Sequence, residues 1–201
     1  YNALTANTTA NYNTALGANA LEANTSGHSN TAVGYQALDA NTTANANTAV
    51  GTAALTANTT GDYNVCMGFE TLKANTTATQ GVALGSQALY SNTTGSYNIA
   101  VGSNAMLLNT TGLENTAIGY KALDTATTAS YNVAVGSKAL DANTTGHSNV
   151  AIGYQALDAN TTGSNSIAIG YGAGGTNTTG AIIAVGYQSL DANTTGAENV
   201  A

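Results

Sequence analysis

Apolar residues along this chain return at fixed intervals and do not gather into blocks. An Ala-[Val/Ile/Leu]-Gly tripeptide closes at Gly17, Gly34, Gly51, Gly85, Gly102, Gly119, Gly136, Gly153 and Gly170, and Cys66-Met67-Gly68 fills the remaining slot. Every step is 17 residues, until Gly186 arrives one residue early. With each repeat numbered 1 to 17 and that glycine last, position 4 is Leu in ten of twelve repeats, the exceptions being Met106 and Gly174. Position 15 is Ala except at Cys66, position 16 is always a large aliphatic residue, position 8 is always Thr, and position 7 is Asn except at Ala126.

A 17-residue unit is too short for the helix pair of most repeat proteins, which takes 33 residues or more. It suits one coil of an all-β parallel solenoid, or β-roll, with two short strands and two turns. Positions 13–17, such as Asn30–Gly34, form the first predicted strand, and positions 3–6, such as Ala37–Ala40, the second. Side chains alternate across a strand, so positions 14 and 16, with 4 and 6, are expected to line a thin core. The Asn-Thr-Thr-Gly segment reads as a turn, and the position-17 glycine as the opposite corner. Recurrent Gly, Asn-Thr-Thr and β-branched residues oppose a continuous helix. The array is read as one unit over residues 1–201, about twelve coils, with 171–186 as an atypical coil of 16 residues. It begins just after a glycine corner and stops at position 15 without a polar cap, so a window of a longer array, or a subunit stacking end to end, is expected.

Composition narrows the chemistry. Ala (39), Thr (34), Asn (26) and Gly (23) dominate the 201 residues, and only 6% are charged. Three basic residues cannot make a phosphate-binding footprint, so no nucleic-acid partner is expected. No apolar run is long enough for a membrane-spanning helix. One Cys excludes an intrachain disulfide. Pro is absent, as expected where nearly every backbone N–H must pair with a neighbouring coil. No catalytic residues, metal ligands or cofactor are expected, because any Ser or Asp here has copies in other coils.

Several columns remain as candidate sites. Column 15, Ala15, Ala32, Ala49, Ala83, Ala100, Ala117, Ala134, Ala151, Ala168 and Ala184, lies opposite positions 14 and 16. A strand apolar on both faces is usually buried on both, so these alanines are the expected inter-chain contact. Asn7, Asn24, Asn41, Asn58, Asn75, Asn92, Asn109, Asn143, Asn160, Asn177 and Asn193 each head an N-x-[Ser/Thr] sequon. They could carry N-linked glycans or form a turn-capping ladder. Aromatics gather at position 1 (Tyr1, Tyr35, Phe69, Tyr120, Tyr154, Tyr171, Tyr187) and position 12 (Tyr12, Tyr63, Tyr97, Tyr131), as a packed ladder or as platforms for sugars. Acids recur at position 5 (Glu22, Asp39, Asp124, Asp141, Asp158, Asp191), a solvated face to which Lys121 and Lys138 at position 2 bring opposite charge. His28 and His147 are copied loop residues, and Cys66 is a core thiol.

The string Asn30–Leu38 (NTAVGYQAL), together with Ser164–Ala173 (SNSIAIGYGA), resembles the head repeats of trimeric autotransporter adhesins, which occur also in phage tail fibres and bacterial surface fibres. The repeat here is longer than the usual head repeat. The resemblance implies a left-handed roll, three chains wound into a homotrimeric rod, and a place outside the cell or on a virion surface. The expected function is non-catalytic: the shaft or head of an extracellular fibre giving rigid spacing and multivalent display, with self-association and cell-surface carbohydrate as its partners. A glycan-coated surface fibril and an ice- or polysaccharide-binding solenoid using the Thr columns at positions 8 and 9 are the alternatives.

Overall fold

The computed structural model describes residues 2–201; Tyr1 lies outside them. The chain is an all-β parallel solenoid of about eleven turns. Its strands are β1 (Thr14–Leu16), β2 (Thr31–Val33), β3 (Thr48–Val50), β4 (Val65–Met67), β5 (Val82–Leu84), β6 (Ile99–Val101), β7 (Thr116–Ile118), β8 (Val133–Val135), β9 (Val150–Ile152), β10 (Ile167–Ile169), β11 (Ile182–Val185) and β12 (Asn199–Val200). They form one parallel sheet in strict sequence order. Each residue pairs with its own copy one repeat away, as Ala32 with Ala49 and Val135 with Ile152. The short coil changes the offset without changing the register, so that Ala168 still meets Ala184.

Only the first predicted strand exists. Positions 3–6 belong to a run of turns in which positions 2 and 4 hold left-handed backbone, Gln36 at φ 55° and Leu38 at φ 52° for example. Sequence alternation alone does not reveal this, because Ala and Leu carry no turn signature. The position-4 side chains nevertheless point inward as expected, and Leu21, Leu38, Leu55, Leu72, Leu89, Leu123, Leu140 and Leu157 are fully buried, with Met106 among them; position 6, expected beside them, is not buried, as exposed Leu108 shows, and position-3 residues such as Ala37 take its place. Bulky residues at positive φ are uncommon, and here the aliphatic burial they gain offsets the backbone cost.

The strand carries the opposite phase to the one expected. Position 15 points into the coil: Ala32, Ala49, Cys66, Ala83, Ala100, Ala117, Ala134, Ala151, Ala168 and Ala184 are fully buried within a single chain. Positions 14 and 16 face outward. The physical reason is the width of the coil. The position-4 side chain reaches across to the strand, so only a small side chain, Ala or Cys, stands beneath the sheet.

The atypical coil demonstrates this packing. Gly174 stands where Leu is the rule, and a Cβ there would lie 2.7 Å from Ile182 Cδ1, with Leu157 Cδ2 and Ala168 Cβ next. Ile182 occupies position 13, elsewhere mostly Asn, and is buried. It fills the space the missing leucine leaves. Gly172 and Gly174 keep φ near 60°, so the turn is preserved. The lost residue is the one at position 12, and the expected irregularity at 171–186 is thus repaired by an exchange of side chains.

At the position-17 corner glycine is required twice over. Gly102 has φ 133°, and a Cβ on it would lie 2.5 Å from the Gly119 carbonyl oxygen in the next coil.

Ile182→Ala should lose about 2–4 kcal/mol by opening a cavity. Gly174→Leu should destabilise by overpacking, and Gly174→Leu with Ile182→Asn should recover most of that loss. Thermal unfolding of the three variants reads the coupling.

Candidate functional site

The polar residues divide into an interior set and an exposed set. Two asparagine ladders run inside the solenoid. At position 7, Asn41 Nδ2 donates to Asn24 Oδ1 at 2.9 Å and to the Ala44 carbonyl at 3.1 Å; Asn58, Asn75, Asn92 and Asn109 repeat the pattern. At position 13, the backbone N–H of Asn47 donates to Asn30 Oδ1, and Asn47 Nδ2 donates to the Gly61 carbonyl. A buried amide left unpaired is costly, so each ladder favours the same residue at successive levels, although Gly81 and Ser166 stand in the position-13 ladder and keep its backbone bond. The ladder breaks at Ala126, and Asn109 Oδ1 is left buried without a donor.

This places the sequon residues. Asn24, Asn41, Asn58, Asn75, Asn92, Asn109, Asn143, Asn160 and Asn177 are buried, and Asn7 and Asn193, in the end coils, are half-buried. The nitrogen that would carry a sugar is held inside the folded coil by hydrogen bonds, which leaves no room for a glycan there. The capping-ladder alternative describes these residues.

The threonine columns behave differently from one another. Position-8 hydroxyls donate to the position-8 carbonyl of the next coil, Thr93 Oγ1 to Thr110 at 3.0 Å and Thr144 Oγ1 to Thr161 at 3.0 Å. Position 9 is exposed in every coil, a single file of Thr broken only by Ser26. Two parallel rows of free hydroxyls are therefore not available at positions 8 and 9.

The outer face of the sheet is mainly apolar, with Thr14, Thr31, Thr48 and Thr116 as its polar members. Leu16, Val65, Met67, Ile99, Ile118, Ile152, Ile167, Ile169, Ile183, Val185 and Val200 are exposed on it with Thr14, and the other residues at positions 14 and 16 are half-buried. Position-1 aromatics flank this stripe: Tyr154, Tyr171 and Tyr187 stack in succession with ring centroids 5.2 and 5.3 Å apart. Tyr35, Phe69 and Tyr120 are exposed on the same column. Sequence reasoning missed the stripe as a surface because it assigned these aliphatics to the interior. The small residues of column 15, Ala at each level except Cys66, were the available signal.

The acids of the turn segment sit at position 5, with Glu70 at position 2, while Asp62, Glu114 and Glu198 lie at positions 11 and 12. Gln155 Nε2 donates to Asp158 Oδ2 at 3.0 Å, Lys121 Nζ lies 3.5 Å from Asp124 Oδ2, and Lys73 Nζ lies 2.6 Å from Glu70 Oε1 with the two positions exchanged. Burial pushes the carboxyls of Asp124, Asp141 and Asp158 up, and the Asp141 charge adds to this at both of its neighbours, while the nearby lysines oppose it. The Lys73 hydrogen bond holds Glu70 below its ordinary value. Cys66 is buried, and desolvation raises its thiol far above the ordinary range, so it is no nucleophile in the folded chain. His28 and His147 are exposed. Among the described residues no group of three or more His, Cys, Asp or Glu could hold a metal ion, and no helix is long and apolar enough to cross a membrane.

Ala126→Asn should restore the broken ladder and stabilise the fold by about 1 kcal/mol, whereas Asn75→Ala should cost about 1–3 kcal/mol by orphaning its partners; chemical denaturation measures both. A carboxyl whose folded pKa is raised binds its proton more tightly in the folded state. Stability from the Asp124–Asp141–Asp158 column should therefore rise as pH falls from neutrality toward the ordinary aspartate value near 3.9. Asp141→Asn should stabilise at pH 7 by about 0.2–1 kcal/mol, the usual scale for stacked like charges, and flatten that rise in melting curves taken across the range.

No protein-family model matches the chain, and no characterised protein and no solved structure matches it at a significant level.

Proposed function

We propose that this chain is a structural segment of an extracellular fibre, non-catalytic, in which three copies pack side by side and each turns the outer face of its sheet toward a shared axis. The observation that carries the reading is the apolar stripe at positions 14 and 16. Parallel sheets are ordinarily covered on both faces. This one is covered on its inner face by the coil's own turns and left apolar on its outer face. The stripe runs the length of the sheet, roughly 50 Å at about 4.8 Å per coil, and is roughly 10 Å wide. Two such faces together would bury about 1,000 Å², the threshold for a specific interface. Exposed apolar patches of this size mark interaction sites.

The partner is most simply another copy of the same chain. A rigid ridge repeating with every coil is matched by a surface of equal period, and cyclic assembly of identical chains closes such a contact. The likeness of NTAVGYQAL and SNSIAIGYGA to adhesin and tail-fibre head repeats supports three copies, a left-handed coil and a surface location. The mechanism is then spacing: each added coil extends the rod by roughly 4.8 Å, and whatever the fibre displays is presented in several copies.

Sedimentation equilibrium should give a trimer for the native chain. Ile118→Lys with Ile152→Lys should give a folded monomer, because charge placed in the stripe cannot be desolvated cheaply. A native chain that stays monomeric at high micromolar concentration would contradict the reading.

A further inference from the structure

A second surface runs along the corner between the Asn-Thr-Thr turn and the strand, where positions 9, 11 and 12 meet. Position 12 reads Tyr63, Gln80, Tyr97, Glu114, Tyr131, Ser148 over six successive coils, so a tyrosine stands at every second level. Tyr63, Tyr97 and Tyr131 are 61, 55 and 54% exposed. Their backbones lie at φ 61°, 62° and 62°, a region that Gly and Asn occupy at less cost. Leucine at position 4 meets the same cost and is buried in return, whereas these rings are left in solvent. The same backbone recurs at Gln80, Glu114 and Ser148, so the corner sets it; what the tyrosines add is ring surface left in solvent, which the packing of the coil does not use.

Depressions open beside two of the rings, Tyr97 and Tyr131. A depression of about 370 Å³ is lined by Thr128, Ser130, Tyr131, Thr145, His147 and Ser148, and another of about 420 Å³ lies between Tyr97 and Glu114. Thr128 and Thr145, exposed at position 9, line the depression beside Tyr131. The charges there are wrong for an anion: Asp62 and Glu114 lie at positions 11 and 12, and all three lysines of the chain stand at positions 2 and 5.

From these features we propose that the groove binds an extended, uncharged polysaccharide. Tyr63, Tyr97 and Tyr131 stack on the flat apolar faces of alternate sugar rings, and the threonine file with Gln80 and Glu114 receives the sugar hydroxyls. Aromatic rings spaced two coils apart, roughly 9.6 Å, fit a ribbon-like β-1,4-linked glycan, whose equivalent faces recur at every second residue. Tyrosine suits the task because it offers an apolar face and a polar tip. The tyrosine column lies beside the apolar stripe, and at Asn165 and Glu198 position 12 shares a depression with Ile183 and Val200, so binding is measured together with the oligomeric state.

Affinity electrophoresis of the full chain in gels containing hydroxyethyl cellulose, with polygalacturonate as the anionic comparison, tests the assignment. The neutral polymer should retard the native protein and polygalacturonate should not. Tyr97→Asn should weaken binding roughly three- to tenfold while melting at the same temperature or higher, because Asn relieves the left-handed backbone. Tyr154→Ala, on the other aromatic column, should bind as the native protein does. The proposal is overturned if neither cellulose ether nor chitohexaose competition reveals binding, if polygalacturonate binds equally well, or if Tyr97→Asn binds normally. It is overturned also if Tyr97→Asn lowers the melting temperature, which would make the ring structural.

Discussion

Every residue of this solenoid has, as its axial neighbours, its own counterparts one repeat away. That identity of levels is the constraint from which the rest follows. The backbone ladders close only if each level presents its N–H and C=O groups in the same places, as when Gly119 N donates to the Val101 carbonyl and Gly136 N to Ile118. A side chain that suits its own copy is retained at each level: Asn pairs with Asn, and Gly lets Gly approach. The absence of Pro and the nearly invariant 17-residue step are consequences of this ladder, and so is the compensation in the short coil. There, Ile182 takes over the volume of the missing leucine so that the levels above and below find what they expect.

The second constraint is the thinness of the coil. Leu from the turn segment and Ala from the strand meet across it, and both asparagine ladders close one corner, where the Gly61 carbonyl accepts from Asn47 and from Asn58. The larger aliphatics of the strand have no place inside and turn outward. The chain thus carries a small, polar-cornered core together with an apolar outer surface, the reverse of a typical small domain. Burying that surface between copies would supply stabilisation that a core of one leucine per coil does not.

The repeat, its parallel β-architecture, the two corners and the buried position-4 column were legible in the sequence, because period and glycine placement are local signals. Three things were not. The phase of the strand was obscure, since Thr-Ala-Val alternates whichever face is inside, and choosing the larger residues for the core is a rule that fails when the space admits only Ala or Cys. The second strand was mistaken because Leu at positive φ contradicts its own preference, and only the neighbouring coils make it tolerable. The Asn-Thr-Thr column was ambiguous because one pattern is both a glycosylation sequon and a buried amide ladder. Ala126 offers a hint in retrospect: the levels on either side stay unchanged, and only a buried oxygen atom, that of Asn109, registers the loss.

The division between inside and outside decides both proposed surfaces, and the one native thiol reports on it. Cys66 stands in column 15, within the coil rather than between chains. The rate at which this thiol reacts with a chromogenic disulfide should be followed across a wide range of protein concentration, with circular dichroism recorded in parallel. The expected result is strong protection at every concentration, lost only when the chain unfolds. Reactivity that rises on dilution while the β-signal stays intact would put column 15 at a contact between chains and contradict the fold as described.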